Sequence, residues 1–288
     1  MLAIGDFNED GKLDLVTANF GSGDVSILLN TTSISFTNLV SALLPSSRSV
    51  QVGTPATAFA TIINAGEVTA AGCSISTISS IPAASIFQTT DPATNSVTGL
   101  PNATVDIPAG SSQSFVFGLT PTAPIAQTDV QLSFDCANSF LASIYPGINT
   151  LLLSATATPV PDIMALAATP TNDGIVNVPG MNGMGAFAVA TVNLGVTGTI
   201  TASADTGSAT LPVNISLCET NPATGQCISA IGPTVTTAIN ANATPTFGIF
   251  VQGSGNVPFD PAANRIFVRF KDGGNVTRGS TSVAVRTQ

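Results

Sequence analysis

From Arg48 to Arg265 the chain carries not one Lys or Arg, and this gap constrains the fold more than any other feature. Charged residues make up 8% of the 288 positions, against roughly a quarter in ordinary soluble proteins. Ala, Thr, Ser, Gly and Val stand where Lys and Glu would be, which removes strong helix formers and enriches β-branched and turn residues. The 26 Gly and 19 Pro punctuate the chain every few residues. The rhythm is strand and turn, and an all-β protein is predicted. With 44% apolar residues and this length, two ordinary cores can be filled.

The formal net charge of −9 excludes a nucleic-acid partner, which needs a basic footprint. Five of the sixteen acids fall within Asp6–Asp24, and five of the seven basic residues fall between Arg265 and Arg286. The two ends are therefore complementary in charge. No run approaches the ~20 apolar residues of a membrane helix, and no transmembrane segment is expected. The opening Met-Leu-Ala-Ile-Gly-Asp is not a signal peptide, as it lacks a basic start and an apolar run. Because the rest reads as extracellular or cell-surface, an upstream part is expected in the precursor.

Four cysteines form an even set. Alternation in Val130–Cys136 puts Cys136 on the inward side with Leu132 and Phe134, and Cys73 lies beside inward Ile75. An inter-sheet bridge Cys73–Cys136 is predicted. Cys218 and Cys227 bracket a turn-like insert, so a second bridge should staple a hairpin end. Such bridges place the chain in an oxidising compartment. A zinc site is disfavoured by the lack of any C-x-x-C or histidine.

The first 36 residues differ from the rest. Asp6, Asn8, Asp10 and Asp14, with Gly11 at the sharp turn, match a D-x-[DN]-x-D-G-x-x-D calcium loop, in which Lys12 would offer its backbone carbonyl. Calcium takes six to eight hard oxygens, and alternate residues of a tight loop can all point at it. Position twelve of an EF-hand would be Glu, but Thr17 stands there between strand-like flanks. The segment resembles one FG-GAP or VCBS-type repeat, the blade of integrin-like β-propellers. That resemblance covers about a tenth of the chain, and it implies bound Ca2+ at Asp6, Asn8, Asp10 and Asp14. A propeller needs at least four blades, so this one is an orphan.

From about Ser46 the pattern becomes a sandwich. Val52–Gly66 reads as β-like stretches closed by Asn64-Ala-Gly66, and Ile107-Pro-Ala-Gly110 precedes Ser114–Leu119 with Phe115, Phe117 and Leu119 on one face. This region resembles CARDB-like bacterial immunoglobulin-type domains, which implies a seven-stranded fold and no activity. The Pro-rich Ala157–Asp162 marks a joint. Beyond it, Leu211–Leu217, Phe247–Val251 and a hairpin through Asp272-Gly-Gly-Asn275 read as a second sandwich. The expected organisation is an orphan segment at 1–36 and immunoglobulin-like sandwiches at 37–158 and 159–288.

With no histidine in the chain, Ser-His-acid and Cys-His mechanisms are excluded. Asp205-Thr-Gly-Ser208 spells an aspartic-protease signature, but such enzymes need two aspartates sharing a proton, and the motif occurs once. A glycoside hydrolase would need a carboxylate pair with sugar-stacking aromatics, and the chain has no Trp and one Tyr. The expectation is a non-enzymatic, self-associating surface or fibre subunit. The alternatives are a passive stalk for a calcium propeller and an adhesive module for carbohydrate or a cell-surface protein. Head-to-tail association by strand addition is expected through Val25, Ile27 and Leu29. Arg269 and Arg278, predicted opposite each other in the last hairpin, would need acidic cover from a neighbour's N-terminus.

Overall fold

A computed structural model describes residues 1–9, 13–30 and 37–288. Every regular element among them is a β-strand, and no helix is long and apolar enough to cross a membrane. The chain divides into two units, Met1–Phe36 and Thr37–Gln288. The first is an antiparallel sheet of β1 (Leu2–Gly5), β2 (Asp14–Asn19) and β3 (Asp24–Leu28), with β2 central.

The second unit holds two β-sandwiches, each with its own core. The first contains β4 (Leu39–Leu44), β5 (Ser47–Gln51), β6 (Ala56–Asn64), β7 (Ala70–Thr77), β8 (Ala83–Thr90), β9 (Val105–Ile107), β10 (Ser112–Pro121), β11 (Ile125–Asp135) and β12 (Thr150–Thr156). A sheet of order β4-β6-β10-β8 packs on one of order β5-β12-β11-β7-β9. The second contains β13 (Ile163–Ala168), β14 (Ile175–Val178), β15 (Met184–Asn193), β16 (Gly198–Asp205), β17 (Val213–Thr220), β18 (Thr234–Ile239), β19 (Thr246–Gly253), β20 (Arg265–Lys271) and β21 (Thr277–Thr287). Its sheets, β13-β15-β19-β17 and β14-β21-β20-β16-β18, repeat the first topology strand for strand. Nine strands replace the seven predicted. One is the short edge strand (β9 or β18); the other arises because the opening strand breaks and its second half changes sheet. There β5 pairs parallel to β12, as β14 does to β21.

Alternation explains the cores. Phe115, Phe117 and Leu119 of β10 face Leu132 and Phe134 of β11, and all five are fully buried. In the second sandwich Phe247 of β19 lies 5.2 Å from Phe270 of β20, ring to ring. Each such side chain contributes about 1.5–3 kcal/mol when fully removed from water. The repeat extends to polar details. Asn64 ends β6 and Asn193 ends β15, both with no exposure. Asn64 Nδ2 donates to the Val68 and Ile107 carbonyls while its Oδ1 accepts from the Gly66 amide. Asn193 does the same with Val196, Ile239 and Gly195. Each asparagine thereby satisfies backbone groups that a turning chain would leave orphaned.

The Pro-rich stretch before β13 does not act as a loose tether. Arg48 of β5 reaches Asp162 with Nη2–Oδ2 at 2.8 Å and Nε–Oδ2 at 3.1 Å, and donates through Nη1 to the Thr57 carbonyl at 2.7 Å. Asp162 Oδ1 also accepts from the Ser49 amide, and the Asp162 amide donates to Asn193 Oδ1. The pair is 5% and 4% exposed. Beside it, Ser46 and Ser47 donate to the Ser280 carbonyl, and the Thr277 amide donates to Gln127 Oε1. A side chain on Gly147 of the first sandwich or Gly207 of the second would collide with the ring of Phe267. Phe267 is thus an apolar knob gripped from both sides of a polar seam.

Candidate functional sites

The N-terminal loop is the first candidate. Asp14 opens β2 and is 1% exposed; its Oδ2 accepts from the Phe7 amide at 2.9 Å and its Oδ1 from the Asn30 amide at 2.7 Å. It therefore ties the loop after β1 and the chain after β3 to the central strand. Asp6 and Asn8 lie in the same loop, whereas Asp10 and Lys12 lie outside the described residues. Among the described residues no three acidic, His or Cys side chains gather as a metal cluster. We expect Asp14→Ala to cost the N-terminal sheet about 2–4 kcal/mol, since both bonds are to a charged acceptor and the two amides lose it. Hydrogen exchange should then quicken at Val16 and Ile27 while the sandwiches keep their protection. Unchanged exchange there would remove Asp14 as the organising residue.

Val25, Ile27 and Leu29 are all exposed. The register Val16↔Ile27 and Ala18↔Val25 places Val25 and Ile27 on one face of the sheet, while Ile4↔Leu15↔Leu28 places Ile4, Leu15 and Leu28 on the other. Large apolar side chains on both faces are between 39% and 65% exposed.

The last hairpin forms as predicted but in another register. The turn closes one residue later than predicted, with the Asp272 amide on the Val276 carbonyl, and a bulge between Phe270 and Lys271 adds a second step, so Arg269 lies opposite Ser280, not Arg278. Each arginine has its own acid: Arg269 Nε lies 2.7 Å from Asp205 Oδ2, and Arg278 Nε lies 2.6 Å from Asp272 Oδ2. The expected like-charge clash is absent, and with it the need for a neighbour's acids.

Asp205-Thr-Gly-Ser208 lines a cleft of about 630 Å³ together with Asp129, Phe267 and Arg269. Burial pushes the Asp205 carboxyl up, but the Arg269 guanidinium, the Gly207 amide and Lys271 outweigh it and hold the group below its usual range. A carboxylate kept ionised by a guanidinium is the reverse of a proton-sharing dyad. The motif is a turn: Gly207 has φ near +64° and its amide donates to Asp205 Oδ1.

Both predicted disulfides are present. Cys73–Cys136 is not inter-sheet, however. Asp135 pairs with Ser74 across β11 and β7, so Cys136 comes opposite Cys73 within one sheet. Cys218–Cys227 staples the loop after β17, where Asn221 caps the turn by accepting from the Ala223 amide. At the corresponding place in the first sandwich Gln88 holds the loop by donating to the Gly99 carbonyl.

No protein-family model matches the sequence, and no curated protein matches it. Solved structures similar to this chain include the secreted serine protease VesC from Vibrio cholerae, at 12% identity and TM-score 0.26 over 86% of this chain and 49% of that one. The chain thus spans about half the length of that protein. The N-terminal domain of PorA is 9% identical at TM-score 0.26 over 43% of this chain and 97% of that one. BcpA, the major pilin subunit of Bacillus cereus, is 10% identical at TM-score 0.24 over 87% of this chain and 70% of that one. Likeness of this degree assigns no function.

Proposed function

We propose that the chain is a non-enzymatic extracellular structural protein, a subunit that assembles through its N-terminal sheet. One observation carries this reading: a three-stranded sheet with exposed Ile4 and Leu28 on one face and Val25 and Ile27 on the other. A small three-stranded sheet needs an apolar face covered to be stable in water, and two such faces call for cover on both sides. The remaining features suit a durable extracellular spacer. Two disulfides fit an oxidising environment, and the seam around Arg48 and Asp162 fixes one sandwich on the other.

Sedimentation velocity on the full chain and on Val25→Lys/Ile27→Lys tests the proposal. At about 1 µM, where only a contact of roughly 8 kcal/mol or more stays populated, assembly of the first and its loss in the second are expected. Monomers in both cases overturn it. A second reading, a stalk whose sheet completes a calcium propeller with further blades, is favoured by Asp14. Its two oxygens each keep a lone pair after binding the Phe7 and Asn30 amides, so the residue still suits a calcium ligand set. Titration of the full chain with calcium chloride in a calorimeter decides that reading, and no heat of binding removes calcium from it.

A further inference from the structure

We propose that the outer faces of the two four-stranded sheets bind a second copy of this chain, the bulky face of one sandwich lying on the small-residue face of the other sandwich in the next molecule. The proposal rests on the reading of an assembling subunit and names a contact separate from the N-terminal sheet. On the first sandwich Val40, Leu44, Phe59, Ile63 and Ile86 point outward and are between 42% and 51% exposed. Val40 pairs with Ile63 and Leu44 with Phe59 across β4 and β6, with Ala42 and Thr61 between the two pairs, while Ile86 lies on β8 opposite Gly118.

None of β4, β6, β8 or β10 contains a charged residue. The outward rows are uncharged and apolar-rich, their large apolar side chains alternating with Thr57, Thr61, Ser114 and Gln88, where a fully solvated face would be polar throughout. In the corresponding sheet of the second sandwich the only charged residue is Glu219, which pairs with buried Phe247 on the inward row. A face without charge offers nothing to a nucleic acid, an acidic peptide or a lipid headgroup.

The two faces differ in relief. On the second sandwich the outward row of β15 runs Met184, Ala186, Ala188 and Ala190, all exposed, so that three alanines follow one raised Met. Leu166 stands beside Ala190 on one flank and Phe250 beside Ala186 on the other. A trough of alanines between raised side chains suits a row of protruding Phe and Ile better than a second bulky face would. Four strands about 4.8 Å apart and some eight residues long at about 3.4 Å each give roughly 500 Å² per face. One such contact buries about 1,000 Å² in total, the lower bound for a specific interface. Large apolar side chains grouped on an exposed, uncharged face mark an interaction surface. Because the faces are unlike, each copy retains one of each kind, and the contact extends to an open chain of molecules.

The test uses full chains carrying Phe59→Lys/Ile63→Lys, or Ala188→Glu, with Val25→Lys/Ile27→Lys as the control for the N-terminal contact. All these side chains point to solvent, so far-UV circular dichroism and the melting temperature should not move. In sedimentation velocity at roughly 100 µM, where an interface of minimal size is still populated, the control should remain associated. When added to the control, each face variant should reduce it to monomer. Mixing the Phe59→Lys/Ile63→Lys and Ala188→Glu chains, both on the control background, should restore a 1:1 dimer, because the first keeps the small-residue face and the second keeps the bulky one. A monomeric control overturns the face contact, whatever the N-terminal sheet does. Undiminished association of either face variant overturns it as well, and a mixture that stays monomeric overturns the matching of unlike faces.

Discussion

Replacing Arg48 with Ala should lower the stability of the tandem sandwich by about 3–5 kcal/mol, because it strands a buried carboxylate without its counter-ion. Asp162 is 4% exposed, and only the Ser49 amide would remain to bind its side chain among the donors that now reach it. The residue sits where the second sandwich begins, so the loss should also uncouple the halves. Urea unfolding that is one transition in the parent should split, with the second sandwich melting on its own. The double replacement Arg48→Met/Asp162→Leu separates charge stranding from loss of contact, as apolar residues of similar volume commonly restore such a site. Recovery of at least half the lost stability in the double variant is expected. A single variant within 1 kcal/mol of the parent, still unfolding in one step, would show that the seam is held by Phe267 and the serines instead.

Removing the cross-strand disulfide with Cys73→Ala/Cys136→Ala should cost about 4 kcal/mol in the chain-entropy model, for a loop with a sequence separation of 63. That loop encloses β8, β9, β10 and β11, including the strand that carries Phe115 and Phe117. The first sandwich should therefore melt well before the second. Cys218→Ala/Cys227→Ala closes a separation of only 9 and should cost about 3 kcal/mol at most, confined to the second sandwich. Calorimetry on the two variants compares them directly. An equal loss in both, or a larger one at the short loop, would mean that local strand pairing and not loop closure governs these bridges.

Much of this was legible in the sequence for local physical reasons. A strand's side chains alternate strictly, so Phe115-Val-Phe117 and Leu132-Ser-Phe134 announce their inward rows without knowledge of any partner. The same alternation put Cys73 and Cys136 inward and led to the right pairing, but alternation says nothing of which strands are neighbours. The bridge was therefore placed between sheets when it lies within one. Asn64-Ala-Gly66 is recognisable as a strand end, and its twin Asn193-Leu-Gly195 carries the same three-residue signal. The hairpin at Asp272–Asn275 was plain from its turn residues. Its register was not, since a turn one residue longer and a bulge together shift Arg269 from Arg278 to Ser280.

The sequence by itself determined the all-β class, the inward rows and the chemistry of the two bridges, because period-two patterning and turn residues act over a few positions. Only the tertiary structure decided that Arg48 and Asp162, 114 positions apart, form one buried pair, that Asp205 serves Arg269, and that large apolar side chains stay exposed on two uncharged sheet faces. Each of these depends on which surfaces the folded chain brings together, and a charge or an outward Phe carries no local mark of what will lie across from it.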